Sequence, residues 1–195
     1  MNDDKLKNDI EKLLNPLNIK NNLIKSSLYL SAFELLKLAI ENRLRDFLCG
    51  QEEMNEDFEF KTSQKYRDVI ENRKISELGG NKNIYYSSCL WLKEMDVITH
   101  EEVLELQEIR KHRNKIAHQL PLLIIDSAHN VDLKLFDSIK KLLKKIEQWW
   151  IVEFEMAINT KLDDIDSKDI NFDEIRSGNM ILLDLIIDSV SEAEL

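Results

Sequence analysis

The chain has 195 residues, a net charge of −10, 43% hydrophobic and 33% charged residues, only four glycines and two prolines. That length suits one domain with its own core. The apolar content excludes a disordered chain, and so little Gly and Pro argues against a turn-rich β fold. The negative balance weighs against a protein that coats nucleic acid non-specifically, but it leaves room for an enzyme with a local basic site.

Taken in chain order, residues 3–14 carry a short helical pattern closed by Asn15-Pro16. Residues 19–48 form the most apolar long segment, with Leu28, Leu35, Leu36, Leu38, Ala39, Ile40, Leu44 and Phe47 leaving little room for a polar face at its centre. Such a helix is buried on several sides. Residues 50–63 are acidic and aperiodic and read as a loop. A short helix is expected over 64–77, a turn at Gly79-Gly80-Asn81, and a helix over 83–95. Thr99-His100-Glu101-Glu102 is a capping box that starts the next helix, and Pro121 stops it. A long helix follows over 131–158, where Leu135, Leu142, Trp149 and Met156 recur every seven residues with Ile139 and Ile146 between them. The stretch 159–179 is polar and acidic. The tail, 180–195, holds an apolar cluster that reads as helix or strand, docked by default on its own bundle.

The expected fold is therefore all-α, an up-and-down bundle of about five to seven helices, with residues 1–158 as the bundle and 159–195 as an acidic linker and C-terminal appendage. Cys49 and Cys89 are too few and too far apart for a disulfide framework or a zinc cluster. They fit small residues in a reducing cytoplasm. The charged segment Met1–Lys12 lacks the form of a secretory signal, and the apolar run Met180–Ile187, broken by Asp184, is far short of a membrane span. No membrane association is expected.

Arg113-Asn114-Lys115-Ile116-Ala117-His118 stands apart from this background. Four Lys/Arg residues and one Glu lie between Gln107 and His118. At 100° per residue from Arg110, the residues Ile116, Ile109, Leu120, Leu106 and Ala117 fall between about 240° and 340°, and Arg113 falls at about 300°, inside that apolar stripe. A charge aimed at apolar surroundings must be paired or line a cleft. Arg110, Asn114 and His118 make a polar stripe at about 0°, 40° and 80°, in which Asn114 is placed to fix the His118 ring. Arg113 and His118 are about 140° apart, so they flank a groove rather than stack. An imidazole titrating near neutrality suits proton abstraction from an RNA 2′-hydroxyl, and a guanidinium fork suits the charge that develops on the phosphoryl oxygens. Arg113, His118 and Asn114 are the candidate catalytic residues, with Arg110 and Lys115 as candidate substrate-binding residues. The alternative is that Arg113 is a structural ion-pair partner, for instance to Glu41, and that His118 caps its helix.

These residues resemble the HEPN superfamily, whose hallmark is Arg, four to six intervening residues and His, often with a polar residue after the Arg. The run Leu106-Gln107-Glu108-Ile109-Arg110-Lys111-His112-Arg113-Asn114-Lys115-Ile116-Ala117-His118 is similar to that family's phrasing. Met95–Glu102 resembles the family's entry to the motif helix, and Glu41-Asn42-Arg43-Leu44 resembles part of its buried second helix. The resemblance covers roughly 25–155. It implies a helical bundle, a homodimer with the two motifs facing each other, and metal-independent RNA cleavage without a cofactor. The roles it implies are in toxin–antitoxin, abortive-infection or other anti-phage systems, with an antitoxin or defence-system partner. It also implies an alternative, a catalytically inactive helical module that binds protein or nucleotide. Leu120 stands where toxins paired with a nucleotidyltransferase carry a tyrosine, so control through that residue is not expected.

Other features have plainer readings. Trp149 on the heptad seam is expected in the core, with Trp150 less fixed. Tyr85-Tyr86 are candidates for base stacking. Lys140, Lys141, Lys144 and Lys145 read as a solvated helix face, and His100, His112 and His129 as surface residues. Asp163, Asp164, Asp166 and Asp169 lack the pattern of a calcium loop, and no metal site is expected.

Overall fold

A computed structural model of the chain describes residues 3–49, 62–156, 171 and 174–192. The fold is an all-α helical bundle with a single two-stranded sheet among the described residues. The acidic segment 51–61, the aspartates of 163–169 and the boundary placed between 158 and 159 lie outside them.

Helix α1 (Asp3–Leu14) gives way at Asn15, which caps α2 (Pro16–Lys37). The Asn15 side chain accepts from the Leu17 and Asn18 amides, and Pro16, which has no amide to satisfy, takes the first position. The helix continues without a break through a π-helical turn, Leu38–Asn42, into α3 (Arg43–Cys49). In that turn the Arg43 amide reaches back to the Leu38 carbonyl, and the Ala39 carbonyl accepts from the buried Trp150 indole at 2.9 Å. Tyr29, Ala32, Leu36, Ala39, Ile40 and Leu44 are fully buried along this rod.

Ser63 caps the short helix α4 (Gln64–Tyr66), which runs into a second π-helical turn, Arg67–Glu71. The helix expected over 64–77 ends there. A small antiparallel hairpin follows instead, with β1 (Lys74–Ile75) on β2 (Asn81–Lys82) and Ile75 opposite Asn81. The expected turn closes it through Gly79 and Gly80, whose φ values of 64° and 83° favour glycine. Helix α5 (Ile84–Glu94) is capped by Asn83. It buries Tyr85 and Tyr86 at 4% exposure each, so those rings pack in the core and are not open stacking platforms.

The capping box is present as read. The Glu102 amide donates to Thr99 Oγ1 at 3.2 Å, and the Thr99 amide donates to the Glu102 carboxylate at 2.7 Å. It starts α6 (His100–His118), which buries Val103, Leu106, Ile109 and Ile116. After Gln119, Pro121 lies in the first turn of α7 (Leu120–Ile125). Lys12 of α1 reaches the carbonyls of Asp126 and His129, each at 2.8 Å.

Helix α8 (Leu133–Trp150), capped by Asp132, continues into a π-helical turn, Ile151–Met156. Its buried side is Ile139, Leu142, Leu143, Ile146, Glu147 and Trp150. Leu135 and Trp149 are half-buried and pack against the core, with Trp150 buried more deeply; the Met156 side chain lies outside the described set. Trp149, Trp150, Trp91, Phe47 and Phe154 pack edge to face, tilted or stacked with centroids 4.5–6.2 Å apart. The tail forms α9 (Gly178–Glu192), packed on α2 and α8 with Leu183 buried. No helix among the described residues is long and apolar enough to cross a membrane.

Candidate functional site

Charged residues interrupt the apolar surface of α2 and its π turn at Glu34, Lys37 and Glu41. Spaced i, i+3 and i+7, they share one helix face and line one wall of a cleft of about 580 Å³. The opposite wall belongs to α6, through Arg110, Arg113 and Asn114, and the hairpin and the start of α5 supply Lys82, Asn83 and Tyr85. The polar face that the apolar reading of 19–48 left out is this wall.

Arg113 behaves as its position within the apolar stripe demands. Its guanidinium carbon lies over the Phe33 ring, 5.5 Å from the centroid, so the charge meets π density rather than bare apolar surface. Its head is about one-third exposed and pairs with Glu34 at 2.7 Å, not with Glu41. A longer contact of 3.4 Å runs to Asn114 Oδ1, and Nε is buried without a hydrogen-bond partner. Glu34 is about half exposed, and a pair in that setting is worth only about 0–1 kcal/mol. An incoming phosphate therefore competes with Glu34 on easy terms. Arg110 lies one turn earlier over the Tyr85 ring, 5.5 Å from its centroid.

Glu41 sits differently. Its side chain is 18% exposed, and its ion pair with Lys37 spans 3.8 Å. Burial pushes its carboxyl upward, against the pull of Lys37 and Arg110.

The polar stripe predicted from Arg110 through Asn114 to His118 divides. Arg110 and Asn114 line the cleft with Arg113; His118 and Lys115 do not. Eight residues on from Arg110, His118 lies about 12 Å further along the axis, past the wall that α2 and the hairpin build. No hydrogen bond joins Asn114 to His118 among the described residues, and His118 is exposed. So is Ala117, placed by helical projection in the core-facing stripe. The buried stripe of α6 stops at Ile116, and Lys115, Ala117 and His118 in its last turn are exposed.

His112, read as a surface residue, is half-buried. Its Nε2 accepts the Asp132 amide at 2.9 Å, and its ring meets Tyr29 edge-on at 5.0 Å. The lysines of α8 include Lys145 paired with Glu102 and Lys140 paired with Asp137, as a solvated face allows.

Three of the five predicted site residues thus meet in one cleft. Phe33, Glu34, Lys37, Tyr85 and Lys82 were not predicted with them. A signal for Glu34 and Lys37 existed, since isolated charges in the most apolar helix pose the same burial problem that singled out Arg113. No family model, no curated protein and no solved structure matches the chain.

Proposed function

We propose that the protein is a metal-independent endoribonuclease of the HEPN type, working in the cytoplasm as a homodimer in growth arrest or phage defence. The observation that carries this reading is the division of labour along α6. Arg113 and Asn114 face a polar cleft, while His118, on the same helix, stands on an open last turn beside an exposed alanine. A second copy packed on that turn would cover Ala117 and bring an imidazole to the rim of its partner's cleft. Arg113 and Asn114 would hold the scissile phosphate, with Arg110 and Lys115 contributing positive charge. His118 would take the proton of the 2′-hydroxyl as O2′ bonds to phosphorus. The bond to O5′ then breaks, and O5′ takes a proton from the second imidazole, giving a cyclic phosphate and a free 5′-hydroxyl. A conjugate antitoxin or defence partner would restrain this activity.

The expected result is cleavage of single-stranded RNA by purified protein in the presence of a chelator, with His118→Ala slowing it by about 10²-fold or more. Equal rates for wild type and variant would sink the reading.

The Arg113–Glu34 pair and the distance of His118 from the cleft favour a second reading, a catalytically inactive module that binds protein or nucleotide. Its mark would be ligand binding that depends on Arg113, with no strand scission.

A further inference from the structure

The inner end of the cleft presents a carboxylate without donors. Glu41 is about four-fifths buried, and its single ion pair is the 3.8 Å approach to Lys37. No hydrogen bond reaches it from any described residue. A largely buried carboxylate with no hydrogen bond from the protein is poorly compensated, and Glu41 lies within a π-helical turn, a feature that recurs at functional sites. Tyr85, 4% exposed, lines the same end. Its hydroxyl is buried without a hydrogen-bond partner, with Cys89, Arg110, Glu41 and Tyr29 close enough to act on it electrostatically. Glu41 and the Tyr85 hydroxyl are thus two polar groups at this end that take no hydrogen bond from a described residue.

The surroundings narrow its chemistry. Arg110 lies over Tyr85 and acts on Glu41 electrostatically, so a donor cation stands next to the acceptor pair. At the outer end Arg113 and Glu34 share an ion pair. Seven residues separate Glu34 from Glu41, roughly 10 Å along the helix, a span that a mononucleotide bridges from phosphate to base edge. Among the four RNA bases, guanine alone carries two adjacent N–H donors beside a carbonyl acceptor on its Watson–Crick edge. A carboxylate matches the two donors and a neighbouring guanidinium matches O6. Adenine and cytosine present a ring-nitrogen acceptor to the carboxylate, and uracil offers a single donor between two carbonyls. Exposed RNA bases are read on this edge and stack on aromatic rings and guanidinium planes.

We infer that the inner end of this cleft is a guanine pocket, in which Glu41 accepts from N1–H and the N2 amino group while Arg110 donates to O6, with the attached phosphate on Arg113. The pocket gives the proposed ribonuclease its substrate preference, and in that sense it rests on that reading.

The test is binding of GMP, IMP, AMP, CMP and UMP to the full-length protein by calorimetry. GMP should bind about tenfold or more tightly than AMP, CMP or UMP. IMP, which lacks the N2 amino group, should bind more weakly than GMP; this comparison needs no mutation. Glu41→Gln, verified as folded by its thermal melt, should lose the preference. Equal affinities for all five nucleotides, or a GMP preference that survives Glu41→Gln, would overturn the inference. The two proposals separate cleanly. Guanine-selective binding by a protein that cleaves no RNA keeps the pocket and ends the ribonuclease reading. His118-dependent cleavage with no base preference in binding ends the pocket alone.

Discussion

His112 lies two turns before the end of α6, and the backbone of another element already claims it. Its Nε2 accepts the Asp132 amide, so the ring must be neutral at that nitrogen. Burial pulls its pKa below the usual histidine value, against the pull of Asp132. The folded state then binds fewer protons than the unfolded chain wherever the pH lies between the two pKa values, so stability drops as the pH is lowered through that interval. The protein should keep its full stability above about pH 6.5 and lose it progressively as the pH drops below that value. His112→Asn should flatten this part of the profile. Thermal melts from pH 7.5 to 5.0 on both proteins decide the matter, and parallel curves would show that His112 does not set the slope. Alternation of polar and apolar positions could not reveal this role, because the Asp132 amide that reaches His112 lies twenty residues away in the sequence.

Among the elements, α6 was the most readable because its beginning is chemical rather than statistical. Thr99 and Glu102 satisfy two amides that a helix start leaves open. Thr99→Ala should cost about 1 kcal/mol of unfolding free energy, measurable by urea denaturation; a change below a few tenths would mean that water replaces the cap. The end of the helix was harder to read. Helical projection put Ala117 and Leu120 with the core; Leu120 packs against it but Ala117 is exposed, because a projection says which residues share a side, not how far along the axis the neighbouring helices extend. The hairpin escaped notice because two strands of two residues each are too short to show a period of two. The deeper burial of Trp150 has a similar origin. A seven-residue count fixes a face to within one position, and the Ala39 carbonyl settles which indole turns inward.

On the scale of the whole molecule, one buried carboxylate ties three distant segments. Glu147 of α8 is fully buried, receives Arg43 of α3 at 3.0 Å, and accepts from Asn179 of α9 at 2.5 Å. Arg43 also pairs with Glu155. Removing one partner of a buried pair leaves a charge with no compensation. Arg43→Met should therefore lower stability by about 3 kcal/mol, and a loss under 1 kcal/mol in urea unfolding would show that Asn179 alone suffices. The all-α class followed from composition and periodicity. This tie did not, since its members are more than a hundred residues apart from first to last. The cleft shares that property: its α6 wall was readable within one helix, and its other walls belong to segments that only the fold brings near. The π turn that links α2 to α3 acts on all of this as a frame shift does in a coding text. One residue more than an α-helix needs rotates everything after it by about 100°. The single rod can therefore address two audiences, the cleft through Glu34, Lys37 and Glu41, and the α8 and α9 layer through Arg43. A relative lacking one residue between 38 and 42 would keep a continuous helix and most of its composition, yet aim Arg43 away from Glu147. A one-residue gap at that place in any future family of such chains would separate two architectures that otherwise read alike.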